Sequence, residues 1–159
     1  MKHENVDSNE IVVAARRAGR GTVAAKELLT VRAREFLIAL KLKGGELSIL
    51  VVDDREIRSI NKKWRQIDRP TDVLSFPLSE SPRNFSGALG DIVISLETAK
   101  RAATEFSSTV EFELSLYLAH GLLHLLGFDH QRPVDARKMA KMERKLLGEG
   151  GMLSRSDEL

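Results

Sequence analysis

A segment near the C-terminal end of the chain, residues 114–126, is apolar on nearly every face of the helix that it would form. A surface helix carries a single apolar stripe, so a helix of this composition has to be buried at the centre of its domain. Two histidines, His120 and His124, lie four residues apart within it and therefore share one face of the helix. Because buried polar groups need partners, the two imidazoles are expected to share a ligand.

A third histidine, His130, lies six residues after His124. On an unbroken helix it would point away from the first two, but Gly127 can adopt the left-handed conformation that ends a helix and turns the chain back. Three neutral imidazoles favour zinc, and three protein ligands leave one tetrahedral position open for water. We therefore predict one Zn²⁺ ion held by His120, His124 and His130, with hydrolysis as the reaction class. The alternative is that these are core histidines satisfied by hydrogen bonds.

Composition limits the class of protein. The 159 residues are enough for one domain with its own core. A net charge of +2 and an isoelectric point of about 9.0 allow a polyanionic partner without requiring one. The chain has no cysteine, which favours a reducing compartment and predicts a cytoplasmic location. It has no apolar run of signal-peptide or membrane-spanning length, so no membrane partner is expected.

Hydrophobic periodicity predicts nine elements in the order β-α-β-α-β-β-α-α-α. Strands are expected at residues 11–15, 47–52, 73–76 and 91–95, and helices at residues 22–42, 53–63, 95–106, 108–126 and 134–147. This order predicts an α+β fold, a single domain in which a four-stranded mixed sheet packs against helices and the central buried helix carries the metal ligands. The domain is expected to span residues 1–150, with residues 151–159 as a disordered tail.

A second segment, residues 61–77, is rich in polar side chains and is called the polar segment below. Its two prolines bound a short strand. The packing of the predicted elements does not explain why four other residues occur in this segment. They either form turns and helix caps or act in a functional site: Arg65, Asp68, Thr71 and Asp72.

The two segments together resemble the YbeY family of metal-dependent bacterial endoribonucleases. The resemblance covers about residues 47–147 and rests on HGxLHLxGxDH, which begins at His120, and NxxWRxxDxPTDVLSFP, which begins at Asn61. It implies a zinc-dependent, single-strand-specific endoribonuclease in ribosomal RNA maturation (the 16S rRNA 3′ end) and ribosome quality control. The partners that it implies are single-stranded RNA, ribosomal RNA, small ribosomal subunit components and a ribosome-associated GTPase.

The family also implies roles for particular residues. Its three metal-binding histidines correspond to His120, His124 and His130, which places His120 in the catalytic centre. An arginine of the second motif is important for activity, and the matching residue is Arg65. A guanidinium near the metal can offset the charge that builds on the phosphate oxygens during cleavage. Asp129 is expected to orient a ligand or to hold its loop.

Two rival functions stay open. One is a peptidase of the zincin type, which also has paired histidines. In its His-Glu-x-x-His pattern a glutamate follows the first histidine as general base, whereas this chain has Gly121 there. The other is a non-catalytic ribosome-assembly protein that binds RNA and holds a structural metal, against which the open coordination position argues.

Overall fold

The strands and helices of the computed structural model follow the predicted order, which is therefore confirmed. The structure describes residues 9–78, 87–128 and 131–148, so the predicted tail and the predicted ligand His130 lie outside the described residues. The strands are β1 (Glu10–Arg16), β2 (Gly45–Val52), β3 (Val73–Pro77) and β4 (Gly87–Ser95). The helices are α1 (Thr22–Ala39), α2 (Asp54–Arg65), α3 (Leu96–Glu105), α4 (Val110–Leu125) and α5 (Pro133–Leu147).

The four strands form one mixed sheet in the order β1-β2-β4-β3. Strand β2 is parallel to both of its neighbours, β1 and β4, whereas β3 pairs antiparallel with β4. The predicted α+β fold with a four-stranded mixed sheet is thus confirmed. Strand β3 lies at one edge of the sheet, a position that matters for the site described below.

Helices cover both faces of the sheet. On one face Val51 and Ile92 belong to the main core, which also contains buried residues of α1, α3 and α4. On the other face Ile57 of α2 packs against Val52 and Val93 in a smaller cluster. Since successive side chains of a strand point to opposite faces, α2 and α4 lie on opposite sides of the sheet.

Helix α4 is the buried centre of the domain, as predicted. It packs against α1, α3, α5, β3 and β4, and most of its side chains are buried. It ends where the sequence indicated, because Gly127 has a φ of 90°. The N–H of Gly127 donates to the carbonyl of His124 and that of Phe128 to the carbonyl of Leu123, each at 3.0 Å, which is a Schellman termination. Among the described residues no helix is long and apolar enough to cross a bilayer.

The predicted helix at residues 108–126 begins at Ser108, a residue type that caps helices, but α4 starts at Val110. The hydroxyl of Thr109 accepts instead from the N–H of Phe112 at 3.0 Å. The Ser108 hydroxyl donates to the buried carboxylate of Glu113 at 2.5 Å. The cap is therefore shifted by one residue because the serine has a buried partner.

Strand β4 begins four residues earlier than predicted, since the sequence placed residues 87–90 in a loop. Glycines at both ends of that stretch indicate a turn, but Gly90 has another role. A Cβ at this position would lie 2.4 Å from the carbonyl oxygen of Phe76 and 2.8 Å from the side chain of Leu125. Glycine is required here because α4 and β3 approach the backbone of β4 too closely for a side chain.

Helix α1 ends three residues earlier than predicted, at Ala39. Lys41 has a φ of 58°, and the N–H of Leu42 donates to the carbonyl of Leu37 at 2.9 Å. The helix is thus closed by a left-handed residue other than glycine. Gly44 lies just before β2, and Gly45 is the first residue of that strand.

The starts of α2 and α3, which follow neighbouring parallel strands, are connected through Asp54. Its carboxylate accepts from the hydroxyls of Ser95 at 2.7 Å and Thr98 at 2.6 Å and pairs with Arg101. Its backbone N–H donates to Glu97 at 2.9 Å, so each helix places a carboxylate at the other's N-terminus, where the helix dipole favours negative charge. Burial raises the pKa of Asp54, but the hydrogen bonds from Arg101, Ser95 and Thr98 outweigh it and hold that pKa below its ordinary value.

Asp54 is expected to make the free energy of unfolding depend on pH in the acid range. Because its pKa is lowered in the folded state, its stabilisation is complete above the unfolded-state pKa of about 3.9 and is lost as the pH falls through the folded-state pKa. Urea unfolding of wild type and Asp54→Asn, from about pH 6 to about pH 2.5, should show the difference between them shrinking as the pH falls. A difference that does not change with pH would contradict this role.

Candidate active site

His120 and His124 lie one turn apart near the end of α4, and their ring nitrogens converge. The two Nε2 atoms are 3.1 Å apart, and the ring centroids are separated by 4.6 Å. In a tetrahedral zinc site with Zn–N bonds of about 2.0–2.1 Å, two coordinating nitrogens lie about 3.3 Å apart. The pair therefore fits two ligands of one zinc ion.

A carboxylate of α5 fixes the orientation of His120. The Nδ1–H of His120 donates to Glu143 Oε1 at 2.8 Å, and Glu143 is only 2% exposed. Because a carboxylate only accepts, this bond places the proton of the neutral imidazole on Nδ1 and leaves the lone pair of Nε2 directed toward His124. Histidines that bind metals commonly donate their second N–H to a carboxylate in this way.

Glu143 was not predicted from the sequence. The spacing of apolar residues favours Met139, Met142 and Leu146 as the inward stripe of α5, whereas the residues that are buried are Met139, Ala140 and Glu143. A charged side chain is usually exposed to solvent. One signal was available, because position 143 lies four residues after Met139 and so on the same helix face.

The two histidines open into a cavity of about 430 Å³ beside β3. Arg65 also lines this cavity, so the structure brings together residues from both segments that the sequence singled out. Within residues 9–78, 87–128 and 131–148, no group of three or more His, Cys, Asp or Glu side chains is arranged to hold a metal. The third predicted ligand, His130, lies outside those ranges and stays a prediction.

Arg65, the last residue of α2, reaches the cavity around the edge of the sheet. Its guanidinium donates to the carbonyl of Ser75 on β3 at 2.7 Å. An edge strand has backbone groups that the sheet does not use, and Arg65 binds one of them. The guanidinium carbon also lies 5.2 Å from the centre of the Phe76 ring. A guanidinium has five N–H donors, so the bond to Ser75 leaves others able to bind phosphate.

The other three residues of the polar segment that the sequence singled out, Asp68, Thr71 and Asp72, have structural contacts. Asp68 binds Arg58 at 2.8 Å, and this hydrogen bond lowers the pKa of the Asp68 carboxyl. Asp72 accepts from the N–H of Val73 at 2.7 Å and from the hydroxyl of Thr71 at 3.2 Å. Of the two interpretations that the sequence left open for Asp68, Thr71 and Asp72, these contacts favour turn and cap formation.

Gly121 allows α4 to pack closely on the sheet next to the histidines. A Cβ at this position would lie 3.1 Å from Ile92 Cγ2 and 3.2 Å from Val73 Cγ2. A glutamate, as in the zincin pattern, would have to displace both side chains. The packing therefore argues against a peptidase whose general base follows the first histidine.

Comparison with known proteins identifies the family. A family model described as endoribonuclease YbeY matches residues 15–151. The chain belongs to the YbeY endoribonuclease family. This membership confirms the resemblance that the two sequence motifs indicated.

Two YbeY relatives are similar over most of this chain. Endoribonuclease YbeY of Myxococcus xanthus is 55% identical over 140 residues, which are 87% of this chain and 47% of the relative. Endoribonuclease YbeY of an Anaeromyxobacter species is 54% identical over 134 residues, 84% of this chain and 69% of the relative. The chain thus spans about half the length of the first relative.

A solved structure has a similar fold. The solution structure of TM1509 from Thermotoga maritima superposes on this chain with a TM-score of 0.59 and 29% sequence identity, covering 87% of this chain and 90% of that one.

Glu143→Gln is expected to weaken zinc binding about 10- to 100-fold, because it removes the charge that orients His120 and makes it a stronger ligand. Glutamine has nearly the same shape and can still accept one hydrogen bond, so the fold should be retained. Competition with a chromogenic chelator measures the affinity. Glu111→Gln, a surface change in the first turn of α4, is the matched control. Equal zinc affinities for Glu143→Gln and wild type would show that the carboxylate does not support the site.

Proposed function

We propose that this protein is a metal-dependent endoribonuclease that cleaves single-stranded RNA in ribosomal RNA processing. One observation carries the proposal: two converging histidine nitrogens, 3.1 Å apart, line the same cavity as Arg65. A pair of metal ligands beside a guanidinium is suited to a phosphodiester, because a bound metal ion and the guanidinium can both contact the negatively charged phosphate oxygens. Membership of the YbeY family supports the same class of enzyme.

The residues that would hold the metal are His120 and His124, together with His130. When bound, a zinc ion supplies Lewis acidity and lowers the pKa of water toward neutrality. Glu143 keeps the lone pair of His120 Nε2 directed into the site through its bond to Nδ1.

Arg65 is the group that acts on the phosphate. Cleavage of a phosphodiester increases the negative charge on the non-bridging oxygens, and a guanidinium that is already in place stabilises that charge without reorganising. The bond to Ser75 and the contact with Phe76 hold Arg65 in position before the substrate arrives. Preorganisation of this kind is what distinguishes a catalytic arginine from a mobile surface cation.

Several finer expectations stay predictions. They are action at the 3′ end of 16S rRNA, a part in ribosome quality control, binding to small ribosomal subunit components and to a ribosome-associated GTPase, a cytoplasmic location, and zinc as the metal in cells. The location is an expectation from the composition of the chain, and zinc is an expectation from the three imidazoles. The others are implications of the family resemblance.

The proposal is tested by incubating zinc-loaded protein with a labelled single-stranded RNA, the same sequence as a duplex, and a peptide. We expect cleavage of the single strand alone and loss of that cleavage with a chelator. Cleavage of the peptide but not of RNA would overturn the nuclease proposal in favour of a zincin. Binding of RNA with no cleavage, at full metal occupancy, would favour the non-catalytic binding protein.

Arg65→Ala is expected to lower the rate of RNA cleavage about 100- to 1,000-fold while the zinc content stays unchanged, because it removes charge stabilisation and leaves the histidines intact. Arg65→Lys should recover part of the rate, since it restores the charge without the planar fork. Arg34→Ala, an exposed arginine of α1 outside the cavity, is the matched control. Normal cleavage by Arg65→Ala would rule out the role of Arg65.

A further inference from the structure

Trp64, the single tryptophan of the chain, is 61% exposed at the end of α2. Isolated exposed apolar residues are common on protein surfaces and need no explanation. This indole, however, is adjacent to Arg65 in sequence. The cleavage reaction explains neither the orientation of the ring nor the positive charge around it.

The orientation of Trp64 is fixed by β3. Its ring packs against Phe76 with centroids 6.4 Å apart and an interplanar angle of 67°, a geometry that aromatic pairs favour. The same Phe76 ring lies 5.2 Å from the guanidinium carbon of Arg65. One side chain of the edge strand therefore contacts both the indole and the arginine, which places Trp64 next to Arg65, a residue that lines the cavity.

The surface around the indole is cationic. Residues 57–71 contain five Lys and Arg residues and one acidic residue, Asp68, which pairs with Arg58 and Lys62. Lys63 Nζ lies 5.2 Å from the centre of the Trp64 ring, and Arg69 lines the cavity. An exposed aromatic ring flanked by cations is the combination that binds single-stranded nucleic acid, in which bases stack on the ring and phosphates bind the cations.

We propose that Trp64 is a stacking platform for one base of the single-stranded RNA whose backbone enters the cavity at Arg65, with Lys63 and Arg69 neutralising neighbouring phosphates. This inference rests on the proposed function, because it assumes that RNA is the substrate of the cavity. It also supplies a physical reason for single-strand preference. The bases of a duplex are stacked on one another and present no free face to an indole, whereas unpaired bases do.

The single tryptophan makes binding directly visible. The probe is a 2′-O-methyl oligouridine of about ten nucleotides, within the site sizes of single-strand binding proteins, and its integrity after mixing is checked on a gel. A second probe of the same length carries abasic sugars and so has phosphates without bases. We expect the first probe to quench the fluorescence of Trp64 and the abasic probe to leave it nearly unchanged.

Variants separate stacking from charge, with affinity measured by the anisotropy of end-labelled probes. Trp64→Ala should weaken binding of oligouridine about 5- to 100-fold and leave binding of the abasic probe unchanged, whereas Trp64→Phe should retain most of the affinity. Lys63→Ala should weaken binding of both probes, since it removes a phosphate contact. Phe106→Ala, an exposed aromatic residue at the end of α3 that is 45% exposed, is the matched control and should change neither.

The stacking proposal is overturned if Trp64→Ala binds both probes like wild type, or if it loses affinity for both to the same extent. These outcomes differ from failure of the proposed function, which is judged by cleavage of RNA by the wild-type protein. Intact cleavage with no difference between the probes would refute stacking alone. Absence of cleavage together with base-dependent quenching would refute the nuclease and retain the platform.

Discussion

The candidate site depends on the hydrogen bond between His120 and Glu143. Burying a carboxylate costs free energy unless it is paired, and the imidazole N–H of His120 provides the partner. The bond also determines that Nε2 is the nitrogen of His120 that faces His124. The contact that pairs the buried carboxylate therefore also orients the nitrogen that would bind the metal. It fixes α5 to α4 at a point where Met139 and Ala140 are buried as well. The packing of α5 and the geometry of the site are therefore coupled. A substitution in α5 is expected to alter the site even where the substituted residue does not line the cavity.

The position of β3 at the edge of the sheet is the second constraint. Arg65 and the histidines belong to helices on opposite faces, and only at an edge can side chains from both faces line one cavity. The close packing of α4 on the sheet makes this possible, because glycine at positions 121 and 90 adds no side chain where the helix meets the strands. The edge strand then supplies the carbonyl of Ser75 to Arg65, so the backbone that the sheet leaves unpaired becomes part of the site.

Most of the fold was predictable from the sequence, because the apolar periodicity of most elements indicates their type and order correctly. The errors occurred where the sequence pattern allows more than one role for a residue. Gly90 indicated a turn but lies inside β4, where it allows α4 and β3 to approach the backbone closely. Lys41 adopts the left-handed conformation after α1 although it is not a glycine. Within the site, the spacing of His120 and His124 on one helix sufficed to predict their convergence. Glu143 could not be found in this way, since a buried charge is recognised only with its partner, and that partner lies 23 positions away in the chain.

The central claim is that His120 and His124 bind one metal ion through their Nε2 atoms. Crystallography of the protein grown with stoichiometric zinc, using anomalous scattering at the zinc edge, tests it most directly. The account predicts one ion within about 2.0–2.1 Å of both Nε2 atoms, with Glu143 still bonded to Nδ1 of His120. Zinc bound elsewhere, or the two histidines bonded directly to each other while zinc is present, would contradict it.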